Sequence, residues 1–200
     1  MRFLKPIVFS VSLLPALLLA VAAFQGRLGV NPVETINHVS GEWALRFLCI
    51  TLAVTPLRKL TGWAFVMPLR RMLGLYSFFY AVIHVSTYLV FDLNLNLLAL
   101  GRAIIKHNYI LLGMAAFIIL AALAATSTNG MIRRLGGARW RALHRLVYAA
   151  GLLAVLHFYW FKLGKNDTGE ALIYGVILGV LLGYRVLDHF GKAPRLKRRR

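Results

Sequence analysis

Six histidines occur in this sequence, and two of them lie where an imidazole is expensive to keep. His84 sits in Tyr80-Ala81-Val82-Ile83-His84-Val85, and His157 ends Gly151-Leu152-Leu153-Ala154-Val155-Leu156-His157. Ionisable side chains inside long apolar runs are costly and usually functional. If their runs start at Met72 and Leu143 and cross the bilayer in the same direction, His84 lies 12 residues in and His157 lies 14 in. At ~1.5 Å per residue these are depths of roughly 18 and 21 Å, level within one helical turn. Two imidazoles at one level on neighbouring helices can ligate one haem iron from opposite faces, which also removes the cost of an unpaired buried nitrogen. The competing reading is that each ring makes a polar contact to another helix.

His144 complicates the pattern. It lies 13 residues before His157, and the position 13 before His84 is Arg71, which is no ordinary iron ligand. A second, inner site would therefore have one histidine and an unusual partner. On an ideal helix a spacing of 13 also leaves the two rings roughly 140° apart. His144 stands evenly between a ligand and an interfacial residue. Haem propionates are anionic, so arginines at the right depth are candidates to hold them. Arg46 ranks first for the outer level and Arg70 or Arg71 for an inner one, with Arg145 behind them. Basic residues also snorkel to interfaces without function. His38, His107 and His189 read as surface or interfacial residues.

The elements that must position these side chains follow from composition. The chain has 200 residues, of which 60% are hydrophobic and 15% charged, a ratio that a soluble surface does not tolerate. Six apolar runs, about 7–24, 43–57, 72–91, 109–125, 143–161 and 171–187, approach bilayer-crossing length. The fold expected is all-α, a single polytopic transmembrane bundle of about six helices. The run 43–57 is short and carries Arg46. The first run also imitates a secretory signal, with Ala20-Val21-Ala22 resembling a cleavage site, but it is long for one.

A net charge of +18 would ordinarily suggest nucleic acid, yet the basic residues fall between apolar runs, which favours a membrane protein without a nucleic-acid partner. Of the 24 Lys and Arg residues, eighteen fall in the N-terminus, the 58–71 and 127–145 loops and the C-terminal tail, and five on the opposite side. The positive-inside rule then makes both termini cytoplasmic. Trp43, Tyr109 and Phe158-Tyr159-Trp160-Phe161 mark the outer interface, and Trp63 and Trp140 the inner one. Cys49 is alone, which excludes a disulfide framework and suits a small buried hydrophobe. No internal repeat is evident. Gly175, Gly179 and Gly183 form a doubled GxxxG that packs within the bundle or forms a homodimer seam.

Several stretches together resemble the MsrQ family. They are Gly29-Val30-Asn31-Pro32-Val33-Glu34-Thr35-Ile36-Asn37-His38-Val39-Ser40-Gly41, the run from Arg70 to His84, Thr126-Ser127-Thr128-Asn129, Arg133-Arg134-Leu135-Gly136, Trp140 to Tyr148, and His157-Phe158-Tyr159-Trp160. The resemblance covers nearly the whole chain. It implies a haem b subunit of the ferric-reductase-like transmembrane group in the bacterial inner membrane. Such a subunit draws electrons from the quinone pool and passes them to a periplasmic molybdopterin subunit, MsrP, which reduces methionine sulfoxide in proteins. It places His84, His144 and His157 where the family's haem histidines fall, with one or two haems, since larger relatives in the group carry a fourth histidine that this chain lacks. It also implies FMN, for which the sequence shows no motif. Two other functions compete: direct reduction of ferric or other metal ions, and a non-redox transporter or assembly factor. No broken-helix pair or carboxylate relay within the spans favours transport.

Overall fold

The computed structural model describes residues 3–191. The basic residues Arg2, Lys192, Arg195, Lys197, Arg198, Arg199 and Arg200, which weigh in the charge asymmetry, lie outside that range. Among the described residues nine α-helices follow in order: α1 (Leu4–Phe24), α2 (Pro32–Thr61), α3 (Leu69–Thr87), α4 (Leu97–Lys106), α5 (Asn108–Ala125), α6 (Asn129–Leu135), α7 (Gly137–His144), α8 (Val147–Leu163) and α9 (Gly169–Phe190). A 3-10 turn, Ala64–Val66, precedes α3, and a π-helical turn, Tyr88–Asp92, extends it. Among the described residues there is no strand.

Six helices run the length of the bundle: α1, α3 and α8 one way, α2, α5 and α9 the other. The end where α2, α5 and α9 begin is called the upper end below. The tightest pairings are α2 with α3 and α5 with α8. Leu48 and Leu52 of α2, Ala81 of α3, Leu120 and Leu123 of α5, Ala150 of α8 and Leu178 of α9 form the shared core. Cys49 is buried on α2, as its apolar surroundings suggested. Apolar side chains also cover the outside, including Leu18, Ile118, Leu152, Val176 and Val180, the pattern that a hydrocarbon solvent selects. Among the described residues five helical stretches are long and apolar enough to cross a membrane: Leu4–Phe24, Ala64–Asp92, Asn108–Ala125, Gly137–Leu163 and Gly169–Phe190. The stretch expected as a sixth span, 43–57, is the middle of α2, which is not among them. This helix is the most enclosed of the bundle, so it tolerates Glu42 and Arg46, which pair with each other at 2.8 Å.

Two parts of the chain are more helical than the sequence led us to expect. The outer loop around His38 is helical from Pro32, because Asn31 caps the helix by accepting from the Glu34 N–H at 3.2 Å and Pro32 presets the first turn. The 97–106 segment forms the short amphipathic helix α4, with Leu97, Leu98 and Ile105 exposed beside Arg102 and Lys106. In the glycine stripe, Gly175 faces Val155 of α8, whereas a side chain at Gly179 or Gly183 would meet nothing within 4 Å.

Pro15 interrupts α1, and α3 repairs the interruption. The Ala16 N–H donates to the Tyr80 hydroxyl at 3.1 Å, and that hydroxyl donates to the Ser12 carbonyl at 2.8 Å. A side-chain oxygen thus replaces one rung of the helical ladder. Tyr80 is 1% exposed and stacks on Phe47 of α2. In Tyr80→Phe the ring contacts survive, but two backbone groups lose their partner at about 1–3 kcal/mol each. The thermal unfolding midpoint in detergent should fall, with helix content retained. An unchanged midpoint would show that the hydroxyl bridge does not support α1.

Candidate functional site

The upper half of the bundle encloses a cavity of about 440 Å³ between α2, α3, α5 and α8. His84 and His157 both line it, with ring centres 6.1 Å apart and planes inclined at 77°. The level deduced from spacing therefore brings the two rings together.

Each ring is held in the same way. His84 Nδ1 lies 2.8 Å from the Asn37 carbonyl of α2, and His157 Nδ1 lies 2.7 Å from the Tyr109 carbonyl of α5. A carbonyl can only accept, so Nδ1 carries the proton and Nε2 keeps its lone pair. One turn beyond each carbonyl stands a glycine. A Cβ on Gly41 would lie 2.9 Å from His84 Nδ1, and one on Gly113 would lie 2.7 Å from His157 Nδ1. The unit consists of a carbonyl, a glycine four residues later, and an imidazole from the antiparallel neighbour. It occurs once in α2 with α3 and once in α5 with α8. No internal repeat shows in the sequence because only backbone carbonyls and two glycines carry this one.

The inner walls are apolar, formed by Leu45, Leu48, Ala81, Ile110, Phe117 and Leu120. The mouth at the upper end is polar. Lys165, from the turn after α8, pairs with Glu34 of α2 at 2.5 Å, and that hydrogen bond and charge hold the Glu34 carboxyl below the usual carboxylate range. His38 also lines the cavity, against the Phe161 ring, and sits 3.7 Å from Glu34. Burial and the Lys165 charge keep its pKa below the ordinary imidazole value, favouring the neutral ring. Lys162 binds Asp167 at 2.8 Å and approaches Glu170 at 3.7 Å.

The remaining expected site residues lie elsewhere. Arg46 does not line the cavity; its guanidinium donates to the Tyr174 hydroxyl at 2.9 Å and to Glu42, over the Trp43 ring. His144 lies at the other end of the bundle, with Nε2 3.1 Å from the Thr126 hydroxyl and its ring stacked on Trp140 at 4.0 Å. Arg71 donates to Asn129 at 2.8 Å, and Arg70 reaches Thr55 at 3.4 Å. The cations that do reach the large cavity, Lys162 and Lys165, count in the sequence only among the five basic residues of the outer side, because they follow the last apolar turn of α8 and read as an ordinary loop.

The ferric reductase like transmembrane component family matches residues 40–155, a segment that contains Gly41, His84 and Gly113 and stops two residues short of His157. A protein-methionine-sulfoxide reductase heme-binding subunit MsrQ of Polaromonas naphthalenivorans (strain CJ2) is 46% identical over 191 residues, 96% of this chain and 87% of that protein. The protein of the same name from Ralstonia nicotianae (strain ATCC BAA-1114 / GMI1000) is 47% identical over 93% of this chain and 86% of its own length. That of Xanthomonas euvesicatoria pv. vesicatoria (strain 85-10) is 50% identical over 91% and 85%. With such identity sustained across nearly its whole length, the chain belongs to the MsrQ family, within the ferric-reductase-like transmembrane group.

Proposed function

We propose that this chain is a membrane electron-transfer subunit that binds haem b between His84 and His157. In this reading it takes electrons from membrane quinone and delivers them to a periplasmic molybdopterin methionine sulfoxide reductase of the MsrP kind. The observation that carries the proposal is the matched pair of imidazoles. Both are tied through Nδ1 to a helix carbonyl, and both line one apolar cavity. With ring centres 6.1 Å apart, the two imidazoles are close enough that both could ligate one iron. The relatives' name, heme-binding subunit, supports the same group.

When bound, haem supplies one-electron chemistry whose potential its ligands and surroundings tune. The protein's own work is positional. The Asn37 and Tyr109 carbonyls fix ring orientation and tautomer and raise the basicity of Nε2. Gly41 and Gly113 let the rings approach. Leu48, Ala81, Phe117 and Leu120 exclude water and lower the local dielectric. Lys162, Lys165 and His38 line the mouth and would meet anionic propionates there, whereas Arg46 does not line the cavity. His144 faces no second imidazole among the described residues, so the proposal rests on the upper level and one haem. FMN is assigned no residues.

Visible spectra of the detergent-purified protein test the ligand pair. His84→Ala and His157→Ala should each lower haem content by about tenfold or more; wild-type content in both would refute the pairing. Gly41→Val and Gly113→Val should also strip most haem while circular dichroism keeps the helical signal, because a side chain there occupies the imidazole's place. Full haem retention would show that the glycines are not required. For the partner, the reduced protein should be reoxidised by the periplasmic molybdoenzyme only when methionine sulfoxide is present. Spectra that do not change on that addition would overturn the assignment.

A further inference from the structure

The lower end of the bundle holds a second cavity, of about 240 Å³, between α2, α8 and α9. Among the described residues, every one that lines it carries a hydroxyl, an imidazole or a charge, and none is aliphatic. Its principal group is Arg185 of α9. Nη2 donates to the Leu52 carbonyl of α2 at 2.7 Å, and the guanidinium lies 5.0 Å from the Tyr148 ring centre. Nη1 is buried and has no hydrogen-bond partner among the described residues. An unsatisfied buried donor on a cation is among the more expensive features a fold can keep, and a guanidinium is shaped to donate to the oxygens of a phosphate.

The surroundings favour an anion over a neutral acceptor. Asp188, the one carboxylate in the lining, is engaged by Lys59. Arg70 of α3 reaches Thr55, itself a lining residue, and adds a second cation at the border. Arg185 is five residues from the end of α9, about 8 Å along the axis. Exposed Val186 and Leu187 lie beside it. The site thus sits at an apolar-to-polar boundary, on the end that the charge asymmetry of the sequence assigns to the cytoplasm, where basic pockets between helices receive lipid headgroups.

We propose that this cavity binds a phosphate group, with the Arg185 guanidinium turning to bring Nη1 to the cavity and donate to one phosphate oxygen. The phosphate is that of a phospholipid headgroup or of a soluble phosphate compound. The site is independent of the haem-ligand reading, and haem content serves only as a check on folding.

The test uses the detergent-purified full chain. Native mass spectrometry measures retention of phosphatidylglycerol, and thermal unfolding measures stabilisation by inorganic phosphate against chloride at equal ionic strength. The wild type should respond to at least one probe: the lipid alone identifies a headgroup, and inorganic phosphate alone a soluble ligand. Arg185→Gln should weaken the response by about tenfold, the loss of one charge-assisted hydrogen bond. Lys59→Gln, which removes a second cation from the lining and leaves the Arg185–Leu52 contact alone, should weaken it as well. If Arg185→Gln loses its helical signal or its haem, Lys59→Gln decides. No response from the wild type to either probe, or wild-type responses in folded variants, overturns the proposal.

Discussion

The upper cavity depends on one pair of hydrogen bonds, from His84 to the Asn37 carbonyl and from His157 to the Tyr109 carbonyl. Apolar surroundings give a buried imidazole nothing else to bond, and an unpaired ring nitrogen there costs what an unmade hydrogen bond costs. Satisfying Nδ1 from a helix backbone needs close approach of ring and helix. That in turn requires glycine on the facing turn, met by Gly41 and Gly113. Packing of α3 on α2 and of α8 on α5 is thus set at the level of the histidines by a donor, an acceptor and a missing Cβ. The other nitrogen of each ring keeps its lone pair as a consequence.

The same demand governs the rest of the bundle. Without water to satisfy backbone and side-chain polar groups, each one inside must find a protein partner. The break at Pro15 is closed by the Tyr80 hydroxyl. The Ser77 hydroxyl donates to the Ala44 carbonyl at 2.8 Å, tying α3 to α2. Arg46 and Glu42 neutralise each other on α2 beside Tyr174. Against that thorough pairing Nη1 of Arg185, unmatched among the described residues, stands out.

The two ends of the bundle divide the polar work. At the upper end, Lys162, Lys165, Glu34 and His38 surround a mouth of mixed charge. At the lower end, Arg70, Arg71 and His144 engage Thr55, Asn129 and Thr126, so these side chains tie together α2, α3, α5 and the short helices α6 and α7. A basic residue at a suitable depth is therefore poor grounds for a cofactor role: Arg46 has the right depth, but its partners turn it away from the cavity.

Much was legible without a structure. Apolar runs and a scarcity of charge determine a helical membrane bundle, since no other use of such a composition satisfies the backbone. The shared depth of His84 and His157 follows from helical rise alone. Spacing does not tell which neighbour each helix faces, and that decides everything finer. Asn37 and Tyr109 act through main-chain carbonyls, which every residue possesses, so no residue type could have marked them. Gly41 and Gly113 matter for the side chain they lack, and their meaning appears only once an imidazole from another helix stands against them. The Asn31 cap and Pro32 are sequence signals for the start of α2, although its first turns are polar enough to resemble a loop. Depth is a one-dimensional quantity that sequence carries; the direction a side chain takes around its helix, toward cavity, neighbour or lipid, is set by packing and belongs to the tertiary structure.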